Sequence, residues 1–315
     1  MLPVPTPFAI GAVNAYLIEG DPLTLIDNGP DQASSLSELE RLVGEVGHRL
    51  EDVEKLVVTH HHADHLGLTE LVARRTGAEV VALDEVADYM ADFDAIQHAN
   101  DRFAQRLMRR HGIDRHVVDA LGAVAAISRR LGGDADVDRR LADGDTVRFG
   151  DRTFTVLHRP GHSSSDTVFH DAEGGLLISG DHLLSQVSSN AIITQAPGGG
   201  DLRTHPLVDY RRSLRATAEL DVDLVAGGHG PPITGHRALI ERRLGEQVKR
   251  AENILELLRI RPMSAHEIAS TIWERIAFTQ AFLTLSEVLG HIDLLIADGR
   301  AVEQDDGETV RFAAA

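Results

Sequence analysis

The sequence predicts an α/β protein built in layers, and three observations carry that prediction. Apolar residues make up 43% of the 315 residues, with 28 glycines, which is enough for a sizeable core. Short apolar runs alternate with segments of helical periodicity, the pattern of sheets covered by helices. Histidine is the unusual residue, 17 against 3 Tyr and 1 Trp, and it gathers directly after predicted strands.

Taken in order, Ala15–Ile18 and Leu23–Ile26 are apolar runs joined by Glu19-Gly20-Asp21-Pro22, and they predict a hairpin. Ile26-Asp27-Asn28-Gly29-Pro30 breaks its second strand. Leu36, Leu39, Leu42, Val43 and Val46 recur at helical spacing over Gln32–Val46. Leu56–Thr59 predicts a buried strand that runs into His60-His61-His62-Ala63-Asp64-His65, then a helix to Thr76 and a strand at Glu79–Ala82. Residues 84–142 read as a helical insertion without a strand, with Phe93, Ile96, Phe103 and Leu107 on one helix face. Strands resume at Thr146–Phe149, Thr153–Leu157, Thr167–His170 and Leu176–Ile178. A Gly/Pro-rich loop, Ala196–Gly200, precedes a helix over Leu207–Ala218, and a strand at Leu224–Ala226 ends in Gly227-Gly228-His229-Gly230-Pro231-Pro232. From His236 the character changes, which predicts a boundary between residues 1–235 and 236–315. A long helix to Arg259 is followed by two capping-box spacings, Ser264–Glu267 and Thr284–Glu287. A hairpin of Ala301–Glu303 and Thr309–Phe312, turning at Asp306-Gly307, completes a winged-helix-like order.

Composition excludes several classes. The net charge of −18 is a poor electrostatic footprint for a polyanion binder. There is no cysteine, so disulfides, thiolate metal sites and cysteine nucleophiles are ruled out. No apolar run reaches the roughly 18 residues a membrane span needs. The N-terminus lacks a basic stretch ahead of an apolar one, so a cytoplasmic protein without membrane association is expected.

His60, His62, Asp64 and His65 fall within six residues after a strand. Imidazole and carboxylate suit borderline divalent metals, and on such a loop His60 and His62 can converge on one ion while Asp64 and His65 turn to a second. His162, Asp181 and His229 each follow a further predicted strand, where sites of layered α/β folds gather. His61 and His182, beside these, read as filler or as partners of ligands; His98, His111, His116 and His170 receive no role. Ser163, Ser164 and Ser165 read as loop residues. The Phe93, Ile96, Phe103, Leu107 stripe reads as packing, with a lid over an apolar substrate cleft as the alternative.

The order HxHxDH, PGHS, GD and GHGPP, over residues 7–235, resembles that of the metallo-β-lactamase-fold hydrolases. The resemblance implies a four-layer αββα sandwich with the site at its edge. It implies His60, His62 and His162 as ligands of a first metal, Asp64, His65 and His229 of a second, and Asp181 as the bridging carboxylate. Asp27 resembles the family's buried aspartate behind the ligand loop. Two divalent ions are then expected, zinc by ligand type, with manganese and iron compatible. The chemistry is hydrolysis by a metal-bridging hydroxide, with Asp64 at the reacting centre.

By the same resemblance, Asp181 points to the glyoxalase-type branch and away from true β-lactamases. Residues 236–312 resemble the extension of the β-lactamase-like protein 2 group, on Ser286–Ile292 and Ile296–Arg300. That extension invites a nucleic-acid reading, but residues 236–315 hold 10 basic against 13 acidic side chains, and Thr284–Ala297 has no Lys or Arg. The expectation is therefore a small-molecule acyl substrate, hydrolysed at a thioester or ester, and a C-terminal module that flanks the cleft or forms a homodimer surface. A phosphodiesterase or ribonuclease, a lactonase, and a non-catalytic ligand-binding module are the alternatives.

Overall fold

The computed structural model describes residues 1–315 apart from Pro197, Gly198 and Asp306, so parts of the predicted Ala196–Gly200 loop and Asp306-Gly307 turn lie outside the described residues. The first sheet is ordered β1-β2-β3-β4-β5-β6. Its strands are β1 (Leu2–Val4), β2 (Val13–Ile18), β3 (Thr24–Ile26), β4 (Lys55–Val58), β5 (Glu79–Leu83) and β6 (Arg139–Leu141). The hairpin partners are antiparallel, and β3 to β6 run parallel. The second sheet is ordered β11-β10-β9-β8-β7, from β7 (Thr146–Phe149), β8 (Arg152–His158), β9 (Thr167–Asp171), β10 (Leu176–Gly180) and β11 (Leu224–Gly227). Only β10 and β11 pair parallel there.

The helices are α1 (Ala33–Glu45), α2 (Ala63–Leu66), α3 (Thr69–Thr76), α4 (Asp84–Met90), α5 (Phe93–Arg110), α6 (Arg115–Ser128), α7 (Pro206–Ala218), α8 (His236–Ile260), α9 (Ala265–Trp273), α10 (Ile276–Thr279) and α11 (Ala281–Ala297). Leu39, Leu42 and Val43 of α1 and Val72 of α3 bury in one core with both sheets, including Phe149, Phe154 and Phe169. On the far side of the second sheet, Val168, Leu177 and Val225 pack against Leu207, Tyr210 and Leu214 of α7 and Leu239 and Ile240 of α8. Neighbours Val168 and Phe169 enter different cores because successive strand side chains point to opposite faces. The result is the expected αββα sandwich.

A third core joins the insertion to the C-terminal residues. Phe103, Leu107 and Met108 of α5 and Val118 of α6 pack with Ile254, Leu255 and Leu258 of α8, Val288, Leu289 and Ile292 of α11, and Phe312. The C-terminal strands, β12 (Met263–Ser264), β13 (Ala301–Gln304) and β14 (Arg311–Ala314), form an antiparallel sheet ordered β12-β14-β13.

Three sequence expectations are corrected. The insertion is not free of strands, because β6 pairs parallel with β5; its two arginines are exposed and only Leu141 is buried, so it shows no apolar run. The helix expected to continue to Thr76 divides into α2 and α3. The Ser264–Glu267 capping box forms, whereas α11 begins before Thr284, whose hydroxyl donates back to the carbonyls of Gln280 and Ala281 instead of capping. Among the described residues no helix is long and apolar enough to cross a membrane.

Candidate metal centre

The histidine-rich run leaves the end of β4. Thr59–His62 is a loop that bends over Thr59, His60 and His61, and α2 then turns Asp64 and His65 back toward it. Pro160-Gly161-His162 follows β8, Asp181 follows β10, and Gly228-His229 follows β11, so one edge of the sandwich collects every proposed ligand. The two sheets are tied together there: Asn14 on β2 donates through its backbone N–H to the Gly228 carbonyl at 2.7 Å and through Nδ2 to the Gly227 carbonyl at 2.9 Å. Gly228 N–H donates to the Gly180 carbonyl at 2.7 Å, which fixes the Asp181 and His229 loops against each other.

The side chains meet in two trios, which a third group, His60, His65 and Asp181, links. His60 Nε2 lies 3.1 Å from His62 Nδ1, which lies 2.8 Å from His162 Nε2. Asp64, His65 and His229 form the second, with His229 Nε2 3.4 Å from Asp64 Oδ2. Asp181 stands between: its Oδ2 is 3.6 Å from both His162 Nε2 and His229 Nε2, and its Oδ1 is 3.4 Å from His65 Nε2. All are buried except His62, which is half-buried.

The outer atoms of these histidines are held. Asp27 Oδ2 accepts hydrogen bonds from His65 Nδ1–H at 2.7 Å and the Thr59 hydroxyl at 2.8 Å, while its Oδ1 accepts from the Thr59 N–H at 2.9 Å. His162 Nδ1 donates to the Asn190 carbonyl at 2.9 Å, and His229 Nδ1 to the Ala12 carbonyl at 2.8 Å. With the proton fixed on Nδ1, the inward Nε2 of each ring carries a lone pair. Yet His65 Nε2, His229 Nε2 and Asp181 Oδ1 are buried without hydrogen-bond partners, an arrangement that costs free energy unless a cation occupies the gap. Two donors each about 2.1 Å from a tetrahedral ion stand about 3.4 Å apart, so the spacing fits a divalent metal.

Electrostatics favour the neutral, ligating form at His60 and His62 and the charged form at His65. Burial, reinforced by the imidazoles around them, pushes the pKa of His60 and His62 well below the ordinary histidine value, which keeps both rings neutral and able to ligate. Burial opposes charge on His65, but Asp181 and Asp27 on either side raise its pKa well above normal. Burial likewise opposes the Asp181 carboxylate, and His65, His229 and His162 outweigh it, holding its pKa well below the usual range.

The remaining sequence candidates fall elsewhere. His61 is buried, bonded through Nδ1 to Ser165 Oγ at 2.7 Å and stacked on Tyr89 of α4 at 3.8 Å between ring centres. His182 bonds Thr217 Oγ1 under the second sheet. Phe93 joins the main core beside Tyr89, Ile96 is half-buried, and Phe103 and Leu107 lie in the C-terminal core. Asn190, Ala12 and Tyr89 were not marked by the sequence; the first two act through main-chain carbonyls, which leave no side-chain signal.

The family model described as metallo-β-lactamase superfamily matches residues 9–229. The chain belongs to the metallo-β-lactamase superfamily. It is 36% identical over 309 residues to "Probable metallo-hydrolase YqjP" of Bacillus subtilis, covering 98% of this chain and 95% of that one. A "Beta-lactamase-like protein 2 homolog" of Caenorhabditis elegans is 22% identical over 312 residues, covering 98% and 86%. The crystal structure of a β-lactamase domain protein from Burkholderia ambifaria superimposes with a TM-score of 0.85 at 27% identity, covering 99% and 91%. Shorter matches include a hydroxyacylglutathione hydrolase of Cereibacter sphaeroides (35% over 158 residues, 48% of this chain and 56% of that one) and acyl-coenzyme A thioesterase MBLAC2 of Bos taurus (26% over 132 residues, 40% and 39%). This superfamily member is therefore a metallo-hydrolase, and its His/Asp clusters are candidate sites for divalent metal.

Proposed function

We propose that the chain is a dinuclear metal-dependent hydrolase acting on a thioester or ester of a small acyl substrate. The observation that carries this is the position of Asp181, whose Oδ2 is equally 3.6 Å from a ligand atom of each trio. His60, His62 and His162 would hold one ion and Asp64, His65 and His229 the other, with Asp181 shared. Zinc suits this all-nitrogen-and-oxygen set, and manganese and iron are compatible. When bound, such an ion pair supplies an activated water nucleophile near neutral pH and polarises the electrophile.

The protein supplies the rest. Asp27 and the Asn190 and Ala12 carbonyls orient the histidines. Asp64 is the carboxylate we place at the reacting centre, beside His229 Nε2. Acyl substrates are favoured because relatives bear the names hydroxyacylglutathione hydrolase and acyl-coenzyme A thioesterase. Residues 236–315 read as a winged-helix-like unit, whose order of helix, strand, helices and hairpin supports that assignment. Its excess of acidic side chains argues against nucleic acid and for a structural flank or a dimer surface. Residues 1–235 then form the catalytic part, and a cytoplasmic setting is consistent with the absence of cysteine.

The test is turnover of acyl-coenzyme A thioesters, esters, lactones, a bis-phosphodiester and RNA by protein of measured metal content. Thioester or ester cleavage, lost together with metal in Asp181→Ala, is the expected result. RNA cleavage abolished by His62→Ala, with no ester cleavage, overturns the proposal.

A further inference from the structure

A short strap, residues 189–193, runs between the metal centre and α11. On its inner side Ser189 Oγ donates to the Asp181 carbonyl, the Asn190 carbonyl accepts from His162 Nδ1 at 2.9 Å, and Ile192 N–H donates to the His162 carbonyl at 3.3 Å. Its outer side is held by α11. Asn190 Nδ2 donates to the Leu283 carbonyl at 2.9 Å, and Ile193 N–H donates to Ser286 Oγ at 3.4 Å. The Ile193 side chain is 1% exposed within the core that α5, α8, α9 and α11 share. Asn190 thus reaches the ligand histidine with its main chain and the C-terminal helix with its side chain.

We propose that Asn190 is a positioning residue for His162, and that through it the seating of α11 sets how firmly the first-metal trio holds its ion. The physical chain has two links. The carbonyl keeps the His162 proton on Nδ1, so Nε2 faces the centre with its lone pair. The amide fixes where that carbonyl stands, because a carboxamide facing the Leu283 carbonyl must present Nδ2. Neither group is part of the core: Asn190 is half-buried, with its Oδ1 buried and unpartnered, and Leu283 is exposed, while Ile193 belongs to the core itself. This gives the C-terminal unit a part in the metal centre although it contributes no ligand. The inference rests on the reading of His60, His62 and His162 as a metal site.

Metal-stripped wild type, Asn190→Ala, Asn190→Asp, Asn190→Gln and His162→Ala are titrated with zinc against a competing chelator, and with cobalt(II) followed by visible absorption. Asn190→Asp keeps the shape of the side chain but cannot donate. We expect zinc affinity to fall about tenfold in the Ala and Asp variants, the cobalt bands to shift in both, and Asn190→Gln to recover part of each. Melting of metal-free Asn190→Ala stays at the wild-type value. Wild-type affinity and spectrum in Asn190→Asp overturn the inference, as does a fall in metal-free melting that tracks the loss of affinity. If His162→Ala loses an ion while Asn190→Asp does not, this inference alone fails; if His162→Ala keeps full metal content, the metal-site reading fails with it.

Discussion

Gly228 tests the packing of the centre most sharply. A methyl group added there would lie 2.2 Å from Asp181 Oδ1, 2.7 Å from His65 Cε1 and 3.1 Å from the Gly180 carbonyl carbon. Ordinary contact begins near 3.4 Å, so the carboxylate must retreat by about 1 Å. Gly228 is not among the left-handed glycines, so this collision is the whole cost of the substitution. The left-handed Gly180 before it and the Ser189 hydroxyl on its carbonyl hold the Asp181 backbone, so the carboxylate yields only by rotating about its own side chain, away from its place between the trios. A misplacement of about 1 Å at a reacting centre costs on the order of 100-fold in rate. Gly228→Ala should therefore lose at least that much turnover and retain less than the wild-type metal after dialysis against a chelator, read by plasma emission. Gly245→Ala in α8 meets nothing within 4 Å and serves as the control, unchanged in both readouts. Wild-type metal content and turnover in Gly228→Ala would refute the reasoning, because Asp181 would then have no fixed place between the trios.

Other perturbations separate the roles of further residues. Asp27→Asn tolerates the left-handed φ of 54° at that position but cannot accept from both Thr59 and His65 as the carboxylate does; zinc affinity should drop about 10- to 100-fold in chelator competition. His111 is 4% exposed and stacks on Phe312; burial, then Arg203 and Arg110, lowers its pKa to about 3. Its folded pKa is depressed, so the stability it contributes is complete above about 6.5 and disappears as pH falls toward 3. Between pH 7.5 and 4.5 that amounts to about 3 kcal/mol, and urea unfolding of His111→Phe should show a pH dependence weaker by that amount; an unchanged dependence would exclude His111 as its source. Phe103→Ala should destabilise the third core by about 3–5 kcal/mol in denaturant unfolding, with metal content unchanged. Wild-type stability with an altered preference for acyl length would instead place Phe103 at a substrate surface.

Much of this was legible in the sequence for physical reasons. Ligand chemistry is concentrated in a six-residue run, and strand ends followed by Gly-His or Gly-Asp are local patterns. The helical spacing read at Leu36, Leu39, Leu42 and Val43 is met by α1, which buries Leu39, Leu42 and Val43 in the main core. The misses at Thr284 and at the α2–α3 break are local, and the others share a cause, which is partners that are distant in sequence. Phe93 and Phe103 lie on one helix, but α5 passes from the main core into the C-terminal one, so a single stripe serves two purposes. Strand β6 gains its identity only by pairing with β5. Asn190 and Ala12 support histidines through carbonyls that every residue possesses, and only the fold selects them.

The central claim is a centre of two ions acting on an acyl bond, and zinc titration of the metal-free protein tests it most directly. Hydrolysis of a cleavable acyl thioester should rise until two equivalents of zinc per chain are bound and then level off. Full turnover at one equivalent, or none at two with the protein folded and loaded, would contradict it.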